Sequence, residues 1–333
     1  VGGRDAVVTE SRTWTWSELS QEIGAAAAAL RATGVRKGDR MAILADNSAE
    51  FVIAAHAASR LGLIVVPVNT RLAQPEISFI LSDCGATLLA FAPAREADAE
   101  AAAVAGVRLI SLGPSGRHPN VLDNDHGGSF DENVADERDD AFILYTSGTT
   151  GKPKGSLMDH HRAVWAAMAQ IVSLGLRDGD RYLHLAPMYH SGGTTFLNAT
   201  TLLGGTHVIT PKFDARSVLD LVERHRINWL FGVPTMYQQI LRCVSESSPD
   251  LSSWRIGVFG AAPMPASAVE QLITTFPNVH FFQQCGQTEA GPTGIYSTMD
   301  QIRARPDSSG HVAQNFIEAR VVDEFGVDAA QIP

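Results

Sequence analysis

Short apolar runs alternate with helix-patterned segments along almost the whole chain, and this alternation restricts the fold more than any other feature. Residues 16–33 carry a helical pattern that closes on Gly34, a residue suited to the left-handed position after a helix. A turn follows at 35–39, then an apolar strand at 40–45. The same rhythm continues with a helix at 49–61, a strand at 63–68, a helix at 75–82 and a strand at 87–91. After a Gly-, Pro-, Asn- and Asp-rich connection at 113–140 it resumes. Strands are predicted at 141–145, 182–185, 207–209, 229–232, 256–260 and 279–283, and helices at 160–173, 194–203, 215–225, 235–244 and 266–276. Apolar strands separated by helices build a mainly parallel sheet covered on both faces, so the fold class is α/β.

The 333 residues suffice for two average domains or one large α/β domain. Hydrophobic residues make up 45% and charged residues 19%, an ordinary globular balance. The formal net charge of −10 excludes a basic nucleic-acid footprint. Cys84, Cys243 and Cys285 fit no zinc spacing, and an odd count argues against a disulfide framework. Free thiols point to a reducing, cytoplasmic setting. No apolar run is long enough to span a bilayer, and no signal peptide is visible. The chain opens at Val1 and closes at Pro333 shortly after a strand-like run, which suggests a piece of a longer protein.

The segment richest in chemistry is Tyr145-Thr146-Ser147-Gly148-Thr149-Thr150-Gly151-Lys152-Pro153-Lys154-Gly155, directly after a predicted strand. Glycines allow close approach of backbone N–H groups to phosphate oxygens, and the hydroxyls and lysines add donors and charge. A Walker A loop requires Ser or Thr after Gly-Lys; Pro153 stands there, which argues against a phosphate-loop kinase. By composition alone such a cluster is an ordinary flexible loop. In its order of residues, however, it resembles the phosphate-binding loop of the adenylate-forming superfamily, which includes acyl-CoA synthetases, luciferases and peptide-synthetase adenylation domains.

Four further segments follow in that family's order, and Thr13–Leu19 and Pro67–Leu72 fit it as well, so the resemblance spans essentially the whole chain. Ala186-Pro-Met-Tyr-His-Ser-Gly-Gly193 resembles the segment between acyl pocket and thiol channel. Phe231-Gly-Val-Pro-Thr-Met-Tyr237 resembles a wall of the acyl pocket. Phe259-Gly-Ala-Ala-Pro-Met-Pro265 resembles the loop facing adenine, and Gln284-Cys-Gly-Gln-Thr-Glu289 the adenine- and metal-binding segment.

The resemblance implies two parallel-rich α/β lobes within residues 1–311, one from about 1–55 with 180–310 and the other from about 62–172. A small β subdomain would begin at 312–333, with a strand near 317–323. It implies catalytic roles for His190, Thr288 and Glu289. Nucleotide contacts fall on Thr146, Ser147, Gly148, Thr149, Thr150, Gly151, Lys152, Gly260, Ala261, Ala262, Pro263, Gln284, Cys285, Gly286, Gln287 and Thr288. Substrate contacts fall on His190, Ser191, Gly192, Val233, Pro234, Met236 and Tyr237, and Mg2+ on Glu289 and Thr146. A carboxylate aimed at polyphosphate needs a hard cation between them, which is the physical reason for the metal.

The implied reaction is ATP-dependent activation of a carboxylic acid, a fatty acid first, followed by transfer to coenzyme A. A fatty-acyl-AMP ligase, an aryl-CoA ligase and a non-catalytic nucleotide- or acyl-binding module stay open as alternatives. An amino-acid adenylation domain is disfavoured, because Tyr189-His190 stand where an ammonium-binding aspartate would. Small-molecule acid, ATP and CoA are the implied partners; the oligomeric state stays open, a homodimer included. Two departures matter. Cys285 replaces the family's adenine-stacking Tyr. The family's ribose-binding Asp, hinge and C-terminal catalytic Lys have no counterpart in 1–333, so this stretch alone is expected to bind without turning over.

Overall fold

The computed structural model describes residues 1–123, 128, 130, 132–146, 152–244 and 249–328. Strands β1 (Asp5–Val8) and β2 (Thr13–Thr15) lead into α1 (Trp16–Ala32). Then come β3 (Arg40–Leu44), α2 (Ala49–Arg60), β4 (Ile64–Pro67), α3 (Gln74–Asp83), β5 (Ala86–Phe91), α4 (Glu96–Ala102) and β6 (Arg108–Ser111). Past the long connection lie β7 (Asp140–Thr146), β8 (Lys154–Asp159), α5 (His160–Leu174), β9 (Arg181–His184), α6 (Ser191–Leu202) and β10 (Thr206–Ile209). The remainder is α7 (Ala215–His225), β11 (Trp229–Gly232), α8 (Pro234–Cys243), β12 (Ile256–Gly260), α9 (Ala266–Thr275), β13 (His280–Gln287), β14 (Thr293–Ser297), α10 (Met299–Ala304) and β15 (Val312–Ala313).

The strands form two parallel-rich sheets. Nine run in the order β15-β14-β13-β12-β11-β9-β10-β1-β2, and six in the order β6-β5-β3-β4-β7-β8. Antiparallel pairs occur only toward the sheet edges, at β1–β2, β13–β14–β15 and β7–β8, among the described residues. The inner strands are buried on both faces; β4 and β11 carry no accessible residue, which is why they read as unbroken apolar runs.

Local signals explain several boundaries. Thr15 and Glu18 exchange hydrogen bonds in a capping box that starts α1, with Thr15 N–H to Glu18 Oε2 at 2.7 Å and Glu18 N–H to Thr15 Oγ1 at 3.2 Å. Asp159 caps α5, and Gly175 closes it at φ +65°.

Two expectations are corrected. Residues 40–55 do not join the nine-stranded sheet: β3 lies inside the six-stranded one, parallel to β4 and β5, because its apolar residues are buried between them. The N-terminal segment gives the larger sheet only β1 and β2. The strand expected near 317–323 is also missing. Only an isolated bridge, Val322 to Asp328, forms there, with Val321 and Phe325 exposed to solvent and so adding no burial to hold a strand. Instead, residues 314–316 dock on α5. Asn315 N–H donates to Ser173 Oγ at 3.0 Å, and the Phe316 ring packs edge-on against Trp165 at 5.1 Å.

Candidate active site

Parallel strands share one carboxyl end, and the motif segments all leave from such ends. Tyr145–Thr146 closes β7, Ala186–Ser191 follows β9, Val233 follows β11, Ala261 follows β12, and Cys285–Gln287 closes β13. This is the edge where open α/β sheets bind ligands. A cleft of about 610 Å3 opens there, lined by residues that include Thr146, Tyr189, His190, Ser191, Ala261 and Thr288. A larger cavity of about 860 Å3 lies among α1, α2 and α5 and contains none of these segments. Volume alone therefore does not locate the chemistry.

Three contacts tie distant segments into one site. Thr146 Oγ1 donates to Glu289 Oε1 at 3.0 Å, joining the two sheets across 143 residues. Thr288 Oγ1 donates to Ser191 Oγ at 3.0 Å. Arg162 of α5 donates to the Ala290 carbonyl and anchors the turn that carries Glu289. Glu289 itself is exposed, with its carboxylate held only by Thr146 among the described residues. A hydroxyl beside a free carboxylate is an oxygen donor set that fits a hard divalent cation.

His190 sits at the cleft. The residue is exposed overall, yet desolvation of its ring there and the charge of Arg71 hold its pKa below the ordinary imidazole value. It is therefore neutral at neutral pH. Gly260 must lack a side chain, because a Cβ would stand 2.2 Å from the Gln284 carbonyl of the neighbouring strand. Ala261 then takes φ +65°, a left-handed conformation that costs a non-glycine residue about 1 kcal/mol. It lines both the cleft and a smaller cavity of about 90 Å3, bounded by α5, α6, Phe231 and β13.

The expected residues that the structure describes fall into three groups. Thr146, His190, Ser191, Ala261 and Thr288 meet at the cleft, and Gly192, Gln284, Cys285, Gly286 and Gln287 line the small cavity. Ala262 and Pro263 are exposed beside Ala261, and Lys152 is exposed beyond β7. Ser147, Gly148, Thr149, Thr150 and Gly151 lie outside the described residues. Tyr237 requires a correction. It is fully buried in the core, and its hydroxyl donates to the Val258 carbonyl at 3.2 Å, because α8 turns that face onto the sheet. Met236 packs partly against the same core, and Val233 and Pro234 start α8; none of them lines either cavity.

Sequence reading missed residues that shape the site. Thr195 and Phe196 wall the small cavity with Gln170 of α5 and with Phe231, which comes from the segment expected to line the acyl pocket. The available signal at Gln170 was a polar residue on the alanine-rich buried face of α5. Asn47, only 6% exposed, clamps the segment that carries His190: it donates to the Ala186 carbonyl at 3.0 Å and accepts from Met188 N–H at 2.7 Å. Asn47→Ala leaves both backbone groups buried and unpaired, so denaturant unfolding should report a loss of about 2 kcal/mol. A loss below about 0.5 kcal/mol would place the clamp elsewhere.

Cys285 is an exposed free thiol on β13. If adenine lies against it, Cys285→Tyr adds aromatic contact and tightens AMP binding by about 1 kcal/mol, roughly fivefold by calorimetry. Flat affinity in a folded variant would mean that Gln284 or the Gly260–Pro263 loop holds the base.

The family model for AMP-binding enzymes matches residues 1–329. A feruloyl-CoA synthase of Amycolatopsis sp is 35% identical over 313 residues, covering 94% of this chain and 62% of that protein. The long-chain-fatty-acid–CoA ligase FadD13 of Mycobacterium tuberculosis is 30% identical over 319 residues with the same coverage. Among solved structures, the inhibitor-bound N-terminal domain of FACL13 from Mycobacterium tuberculosis superposes with a TM-score of 0.88 at 30% identity, covering 98% of this chain and 82% of that one. The chain thus spans about 62% of the length of these curated relatives. With the motif segments of both sheets gathered at one cleft and the family model matching almost from end to end, the chain belongs to the AMP-binding enzyme family.

Proposed function

We propose that the protein activates a carboxylic acid with ATP as its acyl-adenylate and passes the acyl group to the thiol of coenzyme A. The contact between Thr146 and Glu289 carries this reading, because it brings the phosphate-loop segment and the Gln-Thr-Glu segment to one cleft. A substrate carboxylate is already ionised at neutral pH, so the first step needs placement rather than a general base. Its oxygen attacks the α-phosphorus, and the bond to pyrophosphate breaks. The Thr288 hydroxyl faces this cleft and is oriented by Ser191, so it can turn to a phosphate oxygen as charge builds. Thr146 and Glu289 would hold Mg2+, which supplies positive charge against the polyphosphate. Neutral His190 orients the acyl carbonyl at the mouth without adding charge. In the second step the thiol sulfur attacks the acyl carbon, and AMP leaves with the carboxylate oxygen.

The acid is best read as compact, aryl or short-chain, in place of the fatty acid first expected. The small cavity ends on Phe196 and Phe231, whose ring centroids are 5.1 Å apart. Buried Trp229 and Tyr182 back Phe196 at 5.3 and 5.8 Å, so a long hydrocarbon would have to move a packed aromatic block. The test is acid-dependent AMP formation by the full-length gene product, across aryl, short-chain and long-chain acids, with and without CoA. Long-chain acids turning over faster than aryl acids would overturn the compact pocket. AMP release unaffected by CoA would move the acceptor to another thiol.

A further inference from the structure

Gln170 lies on α5 with 3% of its surface exposed, and its side chain lines the small cavity. Its hydrogen bonds decide which end of the amide faces where. Gln314 Oε1 accepts from Gly294 N–H at 3.0 Å, so the amino end of Gln314 must point the other way. That amino group donates to Gln170 Oε1 at 3.1 Å, and Gln284 Nε2 donates to the same oxygen at 2.7 Å. The oxygen of Gln170 is therefore doubly used, and its Nε2 has no partner among the described residues. Thr195 gives its hydroxyl proton to the Ser191 carbonyl at 2.8 Å, and no hydrogen bond joins its oxygen to Gln170 among the described residues. Gly192, Phe196 and Phe231 carry no side-chain acceptor, and the side-chain oxygens of Ser191, Gln284 and Gln287, which also line the cavity, make no hydrogen bond to Gln170 Nε2.

A buried amide held in one orientation by two neighbours, with its donor end left over in a cavity, is built to receive an acceptor. We propose that Gln170 is a specificity determinant whose Nε2 donates to an oxygen borne on the body of the acid, away from its carboxylate. The preferred acids are then aryl acids carrying a hydroxyl, ether or carbonyl oxygen, ahead of the corresponding hydrocarbons. This rests on the reading that the small cavity takes the acyl group.

The test compares ring-methoxy with ring-ethyl benzoates and cinnamates, which match in heavy-atom count and differ in the acceptor. Wild-type full-length protein should favour the methoxy acid of the best pair by roughly tenfold in kcat/KM. Gln170→Met removes the donor at similar volume and should bring that ratio to about one. Gln170→Glu keeps an oxygen for Gln284 and Gln314, and turns the donor end into an acceptor. It should push the ratio below one and favour ring-amino acids instead. Melting temperatures check that each variant folds, and Gln170→Glu keeps the test decisive if Gln170→Met does not. A wild-type ratio near one, or a ratio unchanged in a folded variant, overturns the assignment. No turnover with any acid would instead sink the ligase reading. Calorimetry of the chain with the paired non-hydrolysable acyl-sulfamoyl adenylates then decides Gln170 by itself: equal affinity, or no binding of either, overturns the assignment.

Discussion

Glu289→Gln should lower Mg2+-dependent pyrophosphate release by the full-length protein on the order of 100-fold while leaving the fold intact. The substitution keeps size and shape. A Gln oxygen can still accept the hydrogen bond that Thr146 now gives at 3.0 Å, so the link between the two sheets survives. Glu289 is exposed and packs into no core, so unfolding free energy should stay within about 0.5 kcal/mol of wild type. What disappears is one negative charge, the component that a hard cation needs most. AMP binding without metal should be unchanged, which separates the metal role from a general distortion of the cleft. Lys152→Ala should be milder, because an exposed lysine is one donor beside several in its loop. Unchanged activity and unchanged Mg2+ dependence in Glu289→Gln would make the residue structural.

Much of this site was legible because its segments sit where parallel strands end. Strands β9, β11 and β12 read as short apolar runs, and each is soon followed by a Gly-, Pro- or hydroxyl-bearing segment that breaks the run. The contrast between run and exit is visible in one sequence. Elements without that contrast were not legible. Strand β8 begins inside the phosphate-loop motif with Lys154-Gly155-Ser156, which reads as loop; it forms because β7 offers it an antiparallel edge. Helix α4 and strand β6 carry too few large apolar residues for a periodic signal and are set by packing against β5.

The wall of the small cavity was hidden for a different reason. Tyr237 and Phe231 lie in the same motif, six residues apart, and only the turn into α8 decides which one faces the cavity. The chain bends so that Phe231 does, while Tyr237 is swallowed by Phe259 and Phe281. Asn47 and Gln170 act on segments well over a hundred residues away, and no local pattern announces such a partner.

Stability should fall steeply as pH drops below about 6.5, because the protein buries neutral histidines that the unfolded chain would protonate. His184 and His207 have no solvent exposure. Their tautomers follow from the contacts. Thr201 spends its hydroxyl proton on the Leu197 carbonyl at 3.0 Å, so at 3.2 Å it accepts from His207 Nε2–H. His207 Nδ1 is then a bare acceptor, and His184 Nε2–H donates to it at 3.0 Å. A proton added to His207 Nδ1 would face that N–H directly. A proton added to His184 Nδ1 would be buried without a partner. Burial accordingly pushes His184 down to about 3, and burial with the neighbouring histidines drives His207 well below the ordinary value. His56, desolvated beside Arg60, is lowered to about 4, though its residue is only half-buried and should add less. With folded pKa values below the unfolded value near 6.5, the unfolded state binds more protons, so stability rises with pH and is lost as pH falls. His184 alone gives a slope that approaches about 1.4 kcal/mol per pH unit and a loss of about 2.7 kcal/mol by pH 4.5, and His207 adds to it in the same direction. That is a sizeable fraction of the whole stability of many domains. Urea unfolding at half-unit steps from pH 7.5 to 4.5 measures it directly. His184→Leu should remove about one proton from the slope, whatever it does to the midpoint. Stability that stays level from pH 7.5 to 5 would mean that the buried pair carries a charge already, and that the tautomers deduced here are wrong.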